Sequence, residues 1–257
     1  MPGARGQRIW VILFVVVLVV SGPSLEAAEI RQFLDLGLSA VNFQEGKVPE
    51  GWSLRKRLLG VTKGGEARWT VCGGQPAVML HSRAALTFLE KRVDINLRQF
   101  PVVSWKWRVE NILEGIDERD LGGDDHPIRI FFVFEPDSSR QSLWFRLKRF
   151  LYLDQFHGHP MGGHFTEYLW GSRLPAGEIL PDPGKPRQKL MVVEGGRERL
   201  GRWLSYQRNL YEDVKTLYGE EPRRLIFIGI LNDTDASGLE AVSCISELRF
   251  HKARVPE

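Results

Sequence analysis

The sequence predicts a mainly β protein, an antiparallel two-layer β-sandwich with one or two inserted helices. Three observations predict it. Apolar residues alternate with polar ones over short segments, the mark of strands with one face in a core. Those segments recur at short intervals with turn residues between them. Helical spacing occurs in two segments only. A helix-alternating parallel sheet fits poorly, because Trp69–Asn111 holds several strand signals and no helical one.

Taken in order, Arg68–Val71 running into Cys72 reads as a strand, followed by strands around 76–82 and 85–93. Phe100–Asn111 is the clearest alternation, with Val103, Trp105, Trp107 and Val109 on one face and Ser104, Lys106, Arg108 and Glu110 on the other. Pro127–Glu135 is almost continuously apolar, as expected of a strand covered on both faces. Ser139–Tyr152 places Leu143, Trp144, Leu147, Phe150 and Leu151 on one helical face, with Arg140, Arg146, Lys148 and Arg149 opposite. Leu190–Glu194 is a further strand. Leu200–Tyr218 has helical spacing through Trp203, Leu204, Gln207, Leu210, Tyr211, Val214 and Leu217, ended by Gly219 and Pro222. Leu225–Leu231 and Val242–Phe250 complete the set.

Composition narrows the function classes. The chain has 257 residues, 43% of them hydrophobic, and a formal charge of +3. That charge is too small for the clustered basic footprint of a nucleic-acid binder. Arg5 and Arg8 precede an apolar run, Ile9–Val20, which Ser21, Gly22 and Pro23 break before Ala27 and Ala28. This is the order of a secretory signal, and the run is too short for a spanning helix of about 20 residues. The expected organisation is a signal over 1–27, cleaved or kept as an anchor, and one domain over 29–257 with no transmembrane helix. Export gives Cys72 and Cys244 two readings, a disulfide joining an early strand to the last one or two separate buried thiols.

Four blocks carry a family resemblance: FPVVSWKWRVEN (Phe100–Asn111), GGDDHPIRIFFVF (Gly122–Phe134), Val192–Pro222 and Leu225–Phe250. In this order they resemble a bacterial secreted family, domain of unknown function 3047. The resemblance implies a jelly-roll sandwich of the galactose-binding, carbohydrate-binding-like type and assigns no reaction. Asn232, Ala236-Ser237 and Cys244 depart from the family's usual Thr, Asn-Thr and aromatic.

The candidate chemistry lies in loops. Asp124 and Asp125 precede the buried strand at Pro127–Glu135, and Asn232-Asp233-Thr234-Asp235 follow another. Asp124, Asp125, Asp233 and Asp235 are oxygen donors suited to Ca²⁺ or to sugar hydroxyls; the plainer reading is turn capping. Arg129 on the buried strand, and Arg208 and Tyr211 with Glu212 in the second helical segment, suit an anionic or polar ligand; an i,i+4 Arg208–Glu212 pair is the plainer reading. Trp170 is a candidate stacking platform, whereas Trp105 and Trp107 read first as core. His157, His159 and His164 have spacing for Zn²⁺, with Asp154 and Glu167 as added oxygens, but no HExxH accompanies them.

No nucleotide-binding loop, G-x-S-x-G elbow or activated Cys is present. The expectation is therefore an exported, non-catalytic binding module for a polar ligand such as an envelope glycan. The alternatives are a polysaccharide-acting enzyme using a carboxylate pair, such as Glu110 with Asp125 or Glu194, and a structural envelope protein.

Overall fold

The computed structural model describes residues 33–55, 65–120, 123–135, 165–182 and 185–252. Two sheets face each other. One holds β1 (Phe33–Asp35), β3 (Glu66–Cys72), β4 (Gln75–Arg83), β6 (Val102–Val109), β11 (Leu204–Asn209) and β13 (Glu240–His251). Its order is β11-β6-β13-β4-β3, and β1 pairs with β13. The other holds β2 (Ser53–Arg55), β5 (Leu86–Ile95), β7 (Arg129–Phe134), β8 (Phe165–Gly171), β9 (Ile179–Asp182), β10 (Lys185–Gly195) and β12 (Leu225–Asp233), in the order β2-β5-β12-β7-β8-β10-β9. A single α-helix among the described residues, α1 (Leu210–Tyr218), follows β11.

The sandwich prediction holds, with two corrections. β8 and β10 pair in parallel, because the chain runs from β8 to the edge strand β9 before returning along β10. The second helical segment also divides. Leu204–Asn209 is a strand in unbroken register with β6, and the helix begins only at Leu210. Alternation wins there because Leu204, Tyr206 and Arg208 face inward while Ser205, Gln207 and Asn209 are exposed. Asn209 then caps the helix by accepting the Glu212 N–H, and Gly219 ends it at φ 68°. The helix expected over Ser139–Tyr152 lies outside the described residues.

The core between the sheets is aromatic. Trp105 lies between Tyr168 (5.4 Å, 12°) and Tyr206 (5.5 Å, 24°), a stack that joins the two sheets. Trp107 packs against Trp170 and Tyr206, and Phe132 against Phe250. Trp105 and Trp107 are therefore core, as their alternation implies. The outer face of the seven-stranded sheet carries a second apolar cluster, Leu86, Phe88, Val133, Phe227 and Leu231. Gly229 sits beneath it, where an added Cβ would meet the Phe88 ring at 2.3 Å.

Cys72 and Cys244 form a disulfide with Cα atoms 6.5 Å apart. It joins β3 to β13 across the intervening β4, whose small Ala77 packs with the two half-cystines. The Trp203 indole N–H donates to Cys72 O at 3.0 Å and so packs beside the bridge. The bridge spans 172 residues, so it restricts the unfolded chain strongly. Reduction, or Cys72→Ala with Cys244→Ala, is expected to cost about 2–5 kcal/mol. A thermal melt with and without reductant should show a fall on the order of 10 °C, and an unchanged midpoint would contradict this.

Candidate functional site

The site begins where two buried strands meet at one end. β12 and β7 are antiparallel, with Leu231 opposite Arg129. Beyond the regular ladder, His126 N–H donates to Asp233 O at 3.2 Å and Asp233 N–H donates to His126 O at 3.0 Å. This pair draws the segment before β7 against the turn between β12 and β13. Asp125 completes the junction by accepting the Ser237 N–H at 2.7 Å and the Ala236 N–H at 3.3 Å.

A buried polar network fixes the same end from inside. Asn232 donates to Pro127 O at 2.9 Å and to Ser243 Oγ at 3.2 Å, and accepts from Ser82. Thr234 Oγ1 accepts the Ala85 N–H at 3.2 Å and lies 3.1 Å from Ala85 O. Asn232 and Thr234 point inward while Asp233 points outward, as alternation along an extended chain requires. Asp125, Asn232 and Thr234 thus tie these loops to distant segments, and the local turn contact is the Asp235 N–H donating to Asp233 Oδ1 at 3.4 Å.

The arrangement gathers negative charge. Carboxylate oxygens of Asp125, Asp233 and Asp235 lie within 4.8 Å of one another. Burial pushes the Asp233 carboxyl up to about 7, helped by Asp235 and Asp125 and opposed by Arg129. Asp235, exposed, is also raised, by partial burial first and then by Asp125 and Asp124. Arg129 donates to Asp233 at 2.9 Å and lies 3.4 Å from Glu167 on β8, all three side chains being nearly buried. Glu167, Arg129 and Asp233 so form a charged row across the adjacent strands β8, β7 and β12. Three oxygen-rich side chains in one cluster are suited to a hard cation.

His126 is fully buried, and neither ring nitrogen has a hydrogen-bond partner. Burial, and then the Arg129 charge, hold its pKa well below the usual histidine range.

Of the eight expected site residues, the structure brings together Asp125, Asp233 and Asp235, with Arg129 bound to Asp233. Asp124 is exposed beside them and is not part of the cluster. Arg208 lies on the other side of the seven-stranded sheet. It donates to Asp213 at 2.7 and 2.8 Å, not to Glu212, and sits over the Tyr168 ring. Tyr211 packs partly buried against the core. Trp170 is 0% exposed and donates its indole N–H to Gly196 O at 3.1 Å, so its ring offers no stacking face. His157, His159 and His164 lie outside the described residues, and Glu167, their expected helper, is the Arg129 partner instead. Glu110 is bound by Arg108, Asp125 by two backbone amides and Glu194 by Tyr206 and Arg199, three separate settings. Sequence reading missed the roles of Glu167 and His126; the signal for Glu167 was a carboxylate among the bulky residues of β8.

The family described as "Protein of unknown function (DUF3047)" matches residues 51–249. The chain belongs to DUF3047. Membership agrees with the resemblance of the four sequence blocks and brings no assigned activity. A search of curated proteins finds no match. Among solved structures, this DUF3047 chain is similar to the family 11 carbohydrate-binding module of the cellulosomal cellulase Lic26A-Cel5E of Clostridium thermocellum. Identity is 6%, coverage 86% of this chain and 95% of that one, and the TM-score 0.37. It is similar also to the family 30 carbohydrate-binding module of the cellulosomal cellulase Cel9D-Cel44B of the same organism, at 7% identity, 87% and 99% coverage and a TM-score of 0.38. Likeness at this level carries no argument about what the DUF3047 chain binds.

The His126 geometry makes an unusual prediction. Replacing a buried residue normally costs stability, but His126→Leu removes two buried polar atoms without partners while keeping most of the volume. A urea melt should find the variant within about 1 kcal/mol of the parent, or above it. A loss of more than about 3 kcal/mol would show that the ring is held by partners.

Proposed function

We propose that this chain is an exported, non-catalytic binding module for a polar, hydroxyl-rich ligand such as an envelope glycan, with Ca²⁺ held by Asp125, Asp233 and Asp235. One observation carries the reading: three carboxylate oxygens, from the segment before β7, the end of β12 and the turn after it, within 4.8 Å. Grouping carboxylates costs Coulomb energy, which a divalent cation reverses. Ca²⁺ takes six to eight oxygen ligands, so about three carboxylates leave positions for water or for ligand hydroxyls. Asp124 and Asp235 are exposed and supply acceptors at the rim. The N-terminal Arg5, Arg8 and Ile9–Val20 pattern and the Cys72–Cys244 bridge support an exported, oxidising setting.

The test is a thermal melt of purified protein after chelation, with Ca²⁺ or Zn²⁺ returned, followed by calorimetry against a panel of envelope oligosaccharides. A cation at about 100 times its dissociation constant adds about 2.7 kcal/mol, a rise of about 5–10 °C for a chain of this size. Ca²⁺ should restore the midpoint and Zn²⁺ should not. Glycan binding should be weaker without Ca²⁺, and incubation should release no new reducing ends. No shift with Ca²⁺ would remove the metal, and steady glycan cleavage would overturn the non-catalytic reading.

A further inference from the structure

The acidic cluster does not involve the opposite flank of the sandwich, where β11 ends its sheet. Two similar constellations meet there. Tyr206 Oη donates to Glu194 Oε2 at 2.6 Å, and Arg199 Nη1 donates to the same oxygen at 3.1 Å. Tyr168 Oη donates to Asp213 Oδ2 at 2.5 Å, and Arg208 donates to both Asp213 oxygens. Tyr206 and Arg208 are two apart on β11, so they share its inner face.

The hydrogen-bond inventory of this flank is lopsided. Glu194 is already engaged by Tyr206, Arg199 and the Gly195 N–H, and Asp213 by Tyr168 and Arg208. What remains is donor capacity. The Arg199 side chain is 57% exposed and Arg208 34%, each with N–H groups beyond those its carboxylate uses. Tyr206 itself is half-buried, its ring supported by Trp105.

We infer that this flank is a second binding subsite, one that takes the carboxylate of an acidic saccharide such as a uronate residue. Guanidinium groups present paired N–H donors matched to a carboxylate, and the supported Tyr206 ring provides the apolar contact that a pyranose needs. The inference rests on the glycan-binding reading above, yet uses none of the residues of the acidic cluster.

Calorimetry at low salt with tetragalacturonate and with neutral β-1,4-galactotetraose tests it. The acidic oligosaccharide should bind about tenfold more tightly or better. Arg199→Gln should remove about that factor for tetragalacturonate, leave the neutral sugar unaffected, and leave the melting midpoint near that of the parent, because Arg199 is largely exposed. Arg199→Lys should recover part of the loss. Equal affinity for the two sugars, or an unchanged preference in Arg199→Gln, would overturn the subsite while leaving the binding module standing. Failure to bind either sugar or any member of the envelope panel would overturn both.

Discussion

The paired backbone hydrogen bonds between His126 and Asp233 are the constraint on which the candidate site depends. They extend the β12–β7 ladder past its regular end and so bring two loops distant in sequence into contact. Asp125 can reach the amides of Ala236 and Ser237 only because that pairing holds the segment before β7 in place. Asn232 and Thr234, pointing to the opposite side, fasten the same turn to Ser82, Ala85 and Ser243. The loop is thereby fixed by main-chain and buried polar contacts, while its remaining carboxylates are left in an unfavourable grouping.

That grouping is the electrostatic signature of the site. Arg129 answers part of the charge and is itself divided between Asp233 and Glu167. It does not hold Asp233 in the ordinary carboxylate range, since burial and two neighbouring aspartates push the group to about 7. A folded-state pKa raised in this way favours the folded protein below the unfolded value and loses that contribution as pH rises through about 7. The acidic cluster is therefore least favourable once pH exceeds about 7 and Asp233 is ionised. Fixing the loop and crowding its charges are two consequences of one backbone pairing.

How much was legible depended on whether a residue's environment follows from its own segment. The strand at Phe100–Asn111 was readable because its alternation is uninterrupted, and β6 occupies Val102–Val109. β11 was hidden because Leu204, Gln207 and Leu210 satisfy helical spacing over a segment so short that period two and period 3.6 overlap. β8 was obscured by Thr166 and Glu167, polar residues buried on opposite faces of a strand that is covered on both sides. In the site, the adjacent pair Asp124-Asp125 and an Asn-Asp-Thr-Asp run announced a polar cluster, but only the fold separates Asp125 from exposed Asp124. The Arg129–Glu167 and Arg208–Asp213 partnerships depend on strand register and helix start. Trp170 shows the limit most plainly, since an indole beside a glycine reads alike in a core and on a platform.

The most direct test of the cation claim is a calorimetric titration of Ca²⁺ into chelator-treated protein, alongside Asp233→Asn. The account predicts one ion bound per chain by the parent and a severe loss of affinity in the variant, with β-rich circular dichroism retained. No binding by the parent, or equal binding by Asp233→Asn, would contradict it.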